Sequence, residues 1–269
     1  MDIVNRLSES RFREVDDLLA FISIYDDETR IEAYLRLLHA NRALIEQKVC
    51  VEAGCGLGLF AAEMAKLGAK KVYAVEQNQL LANIAEQRLQ AFANVEVVRC
   101  PIEGFRPAEP IDLLVHEFFG QMLHDESLHA LDHLAFAPGT IMPDSGALFC
   151  GVMDATSYLD TYLNRELLSN LDGVLIAGLF EETGDEFHFP AVEWSVQQRF
   201  RASHRVDISD RSGDLLAFGL EIRHRGQMIC RAGECDNWAL VWTPRTADRF
   251  ELTFVPENVG EEVSFRWLR

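Results

Sequence analysis

The spacing of apolar residues changes several times along the chain, and each change predicts an element. Residues 8–20 (SESRFREVDDLLA) are mixed in character and predict a first helix. From Asp26 to Glu46, the apolar positions Ile31, Tyr34, Leu35, Leu38, Ala43, Leu44 and Ile45 recur at helical spacing, with Asp26 or Asp27 placed to cap the start. The pattern then tightens to a short apolar run around Val49 and Val51, the mark of a strand covered on both faces, which is predicted over 48–53. Helices over 59–68 and 78–92 alternate with strands over 71–76, 95–100 and 111–117, and a further helix is predicted over 122–135. Strands alternating with helices of this length predict a parallel sheet with helices on both faces. Past Pro138 a strand over 146–153 and a helix over 156–171 come first. From about residue 192, short strand-like runs such as LLAFGLEIRH, RFELTFVP and EVSFRWLR alternate with turns and predict an antiparallel sheet or barrel.

These patterns divide the chain into an α/β portion over 1–144 and a β-rich, barrel-like portion over 145–269 with a helical insertion at about 156–180, joined at MPDS, residues 142–145. No apolar run is long enough for a membrane helix, which needs roughly 18 residues. Forty-three acidic against 25 basic residues give a net charge of −18, which argues against nucleic acid as the main partner. The same charge suits a cationic substrate steered to an acidic surface, or serves solubility alone. The six cysteines form no C-x-x-C pair and read as reduced thiols of a cytoplasmic protein, and no metal site is expected.

Chemistry concentrates at the ends of the predicted strands. Gly54, Gly56 and Gly58 follow the first strand at alternate positions, so the backbone can turn sharply and meet a ligand with no side chain between. The helix that follows is expected to point its N-terminal N–H groups at that ligand. A dinucleotide turn reads G-x-G-x-x-G, but here Leu59 stands where the last glycine would be. Glu76 ends the second strand, where a carboxylate can accept bonds from both ribose hydroxyls. The fourth strand runs into HEFFGQMLHDE, in which Glu117 and Glu126 flank a turn at Gly120.

Glycine turn and ribose acid together resemble the class I S-adenosylmethionine-dependent methyltransferases. The segment DDETRIEAYLRLLHANRALIEQKVCVEAGCG, the HEFFGQMLHDE loop and APGTIMPD resemble the protein arginine N-methyltransferases, closely over residues 26–145 and more weakly beyond. That resemblance implies a Rossmann-like fold with a barrel-like partner, S-adenosylmethionine as methyl donor and a cationic guanidino acceptor on a protein or small molecule. It assigns the cofactor to Arg30, Glu52, Gly54, Gly56, Gly58, Glu76, Gln77 and Glu103, with Arg30 on the methionine carboxylate. It assigns the guanidinium clamp to Glu117 and Glu126, and further substrate contacts to Asp27, Asn237 and Trp238.

Two features depart from the family. Asn237 stands where the family has histidine, which removes a proton acceptor. The N-terminal aromatic motif that folds over the cofactor is absent, and Phe12, Phe21 and Tyr25 are the candidates nearest its register. The family's homodimer would use residues 158–180, whose apolar run Val174–Phe180 either docks on a second copy or belongs to the core. A small-molecule methyltransferase of the same fold, or a silent relative that binds a partner protein, are the alternative readings.

Overall fold

The computed structural model describes residues 7–155, 164–178, 189–198, 200–234, 239–255 and 262–269. The chain divides into two compact units: Met1–Val115 with Phe136–Thr140, and His116–Ala135 with Ile141–Arg269.

The first unit opens on two consecutive helices, α1 (Glu9–Asp26) and α2 (Glu28–Ala40). Their junction is one residue, Asp27, whose Oδ1 accepts the Arg30 N–H at 2.9 Å and so caps α2. The helix predicted through Glu46 stops earlier. Asn41 closes α2 by donating its side-chain amide to the Leu37 carbonyl, and a short 3₁₀ turn over Arg42–Leu44 follows. The sheet strands are β1 (Val49–Ala53), β2 (Lys71–Glu76), β3 (Val95–Arg99), β4 (Leu113–His116) and β5 (Thr140–Met142), hydrogen-bonded in the order β3-β2-β1-β4-β5. β1 with β2, and β2 with β3, are parallel, in registers Val51↔Tyr73 and Ala74↔Val97. Between them run α3 (Leu59–Lys66) and α4 (Gln79–Leu89). Every residue of β1 is buried, Glu52 included. Each buried valine contributes roughly 1.5–3 kcal/mol.

The second unit is built on antiparallel strands. β6 (Ser145–Met153), β7 (Ile176–Ala177), β8 (Phe189–Ser195), β10 (Leu215–His224), β11 (Gln227–Arg231) and β12 (Val241–Pro244) form one sheet, and β9 (Ser203–Asp207), β13 (Arg249–Val255) and β14 (Glu262–Trp267) form another. Of the predicted helix at 156–171, α5 (Arg165–Ser169) is described, and residues 156–163 lie outside the described residues. Of the Val174–Phe180 run, Ile176 pairs with Trp242 in β7–β12 and packs on the core around Leu215, Ala217 and Leu240, while Val174 is exposed. Residues 179 and 180 lie outside the described residues.

One cysteine expectation is corrected. Cys50, Cys55, Cys100 and Cys150 are free thiols, but Cys230 is disulfide-bonded. The sequence shows cysteine spacing, and the close approach of a sulfur pair is a tertiary fact.

Candidate functional site

In the first unit the glycine turn is held by carboxylates on either side. Gly54, Gly56 and Gly58 all take left-handed conformations, with φ of 66°, 52° and 78°. Glu76, at the end of β2, accepts the Gly56 N–H on Oε2 at 2.9 Å and the Asn78 N–H on Oε1 at 2.8 Å. Burial pushes its carboxyl above the ordinary range, opposed by those backbone bonds.

Glu52, on β1, has a different role. Its Oε1 accepts the Phe60 N–H at 3.2 Å, and its Oε2 accepts the Ala61 N–H at 2.6 Å. These are amides of the first turn of α3, whose N-cap Gly58 has no side chain to supply. Glu52 therefore caps α3 from beneath, and it is 3% exposed. The expectation that α3 offers its N-terminal amides to a ligand is corrected at these two positions, because a buried carboxylate already holds them. The assignment of Glu52 to the cofactor came with the family resemblance, and a capping role leaves no separate mark in the sequence.

Helix α1 reaches the same turn. Tyr25 accepts the Leu57 N–H on its hydroxyl at 3.2 Å. A Cβ placed on Gly56 would meet the Phe21 ring at 2.6 Å, so that ring lies directly against the turn. Of the three aromatic candidates in the N-terminal segment, Phe21 and Tyr25 reach the glycines, whereas Phe12 is 38% exposed. The four-residue spacing of Phe21 and Tyr25 puts both on one helix face.

Arg30 is buried at the start of α2, and Tyr34, one turn on, stacks on Phe60 at 5.2 Å. Gln77 is exposed just beyond β2. Glu103, half-buried, sits in the 3₁₀ turn Ile102–Gly104 that follows β3, at the carboxyl end of the parallel strands. Asp27 is buried, and its Oδ1 caps α2. Asn237 and Trp238 lie outside the described residues.

In the second unit, Glu117 follows β4 directly and is half-buried, and Glu126 is exposed. The helix predicted over 122–135 is corrected. Residues 120–123 make a tight turn, with the Leu123 N–H donating to Gly120 O at 2.9 Å, and a 3₁₀ helix runs from Ser127 to His133. Glu126 is the extended residue at its N-terminal end, with φ −133° and ψ −160°. The apolar spacing of this stretch is too short to separate a 3₁₀ segment from an α-helix.

Two residues bracing this hairpin were not singled out from the sequence. Asp125 accepts the Met122 N–H on Oδ1 at 2.8 Å. His116 is 1% exposed, donates from Nε2 to Pro143 O at 3.0 Å, and accepts the Phe118 N–H on Nδ1 at 3.4 Å. Its ring is walled by Phe118, Phe119 and Trp194, and burial pushes its pKa down to about 4. Both residues stand inside the quoted HEFFGQMLHDE, but only the folded turn reveals what they hold.

Comparison with known proteins gives a consistent direction. The family described as a methyltransferase domain matches residues 51–133. Protein arginine N-methyltransferase 1 of Dictyostelium discoideum is 31% identical over 148 residues, covering 51% of this chain and 43% of that protein. Protein arginine N-methyltransferase 2 of the same organism is 29% identical over 147 residues, covering 52% and 28%. Protein arginine N-methyltransferase 1 of Saccharomyces cerevisiae is 28% identical over 170 residues, covering 59% and 49%. The chain thus spans half or less of the length of these curated relatives. Among solved structures, a crystal structure of PRMT6 superposes with TM-score 0.71 at 13% identity over 94% of this chain and 99% of that one. The Trypanosoma brucei PRMT1 enzyme–prozyme complex with AdoHcy superposes with TM-score 0.69 at 15% identity over 92% and 93%. At these identities the structures establish the fold: a Rossmann-like parallel sheet followed by antiparallel sheets.

Proposed function

We propose that this chain, a divergent class I methyltransferase resembling the protein arginine N-methyltransferases, transfers a methyl group from S-adenosylmethionine to a guanidino nitrogen. The observation that carries the reading is the pair of buried carboxylates around the glycine turn. Glu52 already occupies the α3 amides that a pyrophosphate would need. Glu76, at the end of β2, would hold a ribose. A cationic nucleoside without phosphate fits that charge pattern, and a dinucleotide does not. Gly56 itself is required by the Phe21 ring, which a side chain there would meet, and by its left-handed angle.

Bound there, S-adenosylmethionine supplies a methyl group on a positively charged sulfur. Arg30 would pair with its carboxylate, Glu76 with its ribose, and Gln77 and Glu103 would lie toward its adenine end. Phe21 and Tyr25 form the aromatic wall of the site. The glutamates act on the acceptor. Guanidinium stays protonated at any working pH and has no ready lone pair. Bidentate acceptance of its N–H groups by the Glu117 and Glu126 carboxylates orients it and draws positive charge toward the bonded nitrogens, leaving the remaining nitrogen richer in electrons. That nitrogen forms the new N–C bond as the C–S bond breaks, and the proton it loses passes to a carboxylate oxygen or to water. Alignment of nitrogen, carbon and sulfur is the main requirement, and positioning supplies several kcal/mol. The net charge of −18 favours a cationic acceptor.

Asp27, Asn237 and Trp238 are carried in this reading as further acceptor contacts. A homodimer through residues 158–180 and a cytoplasmic location also belong to it. The location rests on the free thiols of Cys50, Cys55, Cys100 and Cys150, and the Cys230 disulfide weighs against it. No helix among the described residues is long and apolar enough to cross a membrane.

The test is tritiated-methyl transfer to arginine-rich peptides, with calorimetric titration of S-adenosylmethionine. Glu126→Gln is expected to bind the cofactor normally and to lose about 100-fold or more in transfer, in line with removing one charged partner of an oriented group. Label that appears only on small molecules would overturn the protein-arginine reading. Absence of cofactor binding by the wild type would overturn the enzyme.

A further inference from the structure

Eight residues separate Glu117 from Glu126, and their path is tightly constrained. Leu123 holds φ at +72°, a left-handed conformation that costs a non-glycine residue about 1–2 kcal/mol. Three bonds close around it. Leu123 N–H donates to Gly120 O and His124 N–H donates to Met122 O, each at 2.9 Å, and Met122 N–H donates to Asp125 Oδ1 at 2.8 Å. The last is the side-chain bond among the three, so it is the one a substitution can remove.

The Asp125 carboxyl also fills the space at Gly120. A Cβ added there would meet that carboxyl alone among its nearest atoms, Cγ at 2.5 Å and Oδ2 at 3.0 Å, with Oδ1 closer still. Gly120 and Asp125 are therefore a matched pair, and glycine is required by the neighbour rather than by its own backbone angle. Asp125 makes its bonds to backbone N–H groups, and burial holds its carboxyl above the usual range. It is thus part of the scaffold between the two glutamates and not a third member of the clamp. At the other end His116 ties β4 to Pro143 and receives the Phe118 N–H, which fixes the residue on each side of Glu117.

We propose that Asp125 is a positioning residue: seated in the Gly120 turn and opposed by His116, it sets the separation at which Glu117 and Glu126 present their carboxylates to a guanidino acceptor. This inference rests on the transferase reading given above and deepens it at the acceptor side.

The experiment compares wild type with Asp125→Ala, Asp125→Asn, Gly120→Ala and the Gly120→Ala/Asp125→Ala double variant. Two readouts are used: amide hydrogen exchange of Met122, Leu123 and His124, and methyl transfer from S-adenosylmethionine to an Arg-Gly peptide. Asp125→Ala is expected to speed exchange of Met122 and Leu123 by about 5–10-fold, the loss of one net hydrogen bond. It should lower kcat by about tenfold or more with the KM for S-adenosylmethionine unchanged. Asn keeps an acceptor oxygen, so Asp125→Asn is expected to recover both readouts to within about threefold. Gly120→Ala alone should reproduce the Asp125→Ala loss and add nothing to it in the double variant, the non-additivity of groups in contact. Additive losses, or wild-type exchange and kcat in Asp125→Ala, overturn the positioning role and leave the transferase reading standing. A wild type that transfers no label, while Asp125→Ala still loosens the hairpin, overturns the transferase reading and the acceptor role with it, and leaves the brace itself in place.

Discussion

Gly56 sits at φ +52° with the Phe21 ring pressed against it, so two separate penalties bear on any side chain there. A left-handed alanine costs about 1–2 kcal/mol before any collision. Gly56→Ala is expected to lower the melting temperature by about 2–4 °C for each kcal/mol lost, and to weaken S-adenosylmethionine binding, both measurable by thermal scanning with and without the cofactor. This position was legible in the sequence because alternate glycines directly after a buried strand mark a turn that side chains would block. The place of Glu76 at a strand end was legible, but its bonds to the Gly56 and Asn78 amides were not. Asp125 and His116 were not legible. Their partners are backbone groups in a turn whose shape depends on Leu123 adopting a left-handed angle, and nothing in the residue type of Leu123 announces that.

At the level of elements, β1, β2 and β4 were readable because burial leaves short apolar runs, whereas β3, which has no fully buried residue, was readable from its valines. Helix ends were less so. The helix expected through Glu46 ends at Ala40, because Asn41 turns its amide back to the Leu37 carbonyl and the chain must reach β1. Helix α1 shows the larger gap between pattern and placement. Its mixed composition identified a helix but not that Phe21 and Tyr25 would lie on the glycine turn. Tyr25→Phe removes the acceptor of the Leu57 N–H and leaves the ring. It is expected to speed amide exchange at Leu57 by about fivefold, roughly 1 kcal/mol, with α2 and the sheet unaffected. Unchanged exchange at Leu57 would mean that α1 does not hold the turn.

For the molecule as a whole, acid should act first on the second unit. His116 and His124 are both buried there, and burial pushes each pKa down to about 4, with His204 and His129 adding to the effect on His124. The unfolded chain binds these protons near pH 6.5, whereas the folded chain resists them until about 4. Stability from these two groups is therefore complete above pH 6.5 and is lost as the pH falls toward 4. Each histidine contributes on the order of 2 kcal/mol to the difference between pH 7.5 and pH 5. Glu251, held down to about 2 by Arg205 first and then Arg266 and Ser203, extends the same trend at lower pH. The raised carboxyls of Asp125 and Glu76 oppose it near their own range, since a folded state that keeps a proton longer gains stability as the pH falls. Urea unfolding followed at pH 7.5, 6 and 5 should show a falling midpoint for the unit that contains His116 and His124. A midpoint that rises toward pH 5 would contradict the assignment.

The cap that Glu52 places under α3 has a consequence for anyone who would re-purpose this scaffold. The evident route to a dinucleotide cofactor is to supply the missing glycine at Leu59. That change would leave a carboxylate holding the Phe60 and Ala61 amides, with its charge beneath the incoming pyrophosphate. Redesign would have to begin one strand earlier, at Glu52, and find the helix a neutral cap in the same move.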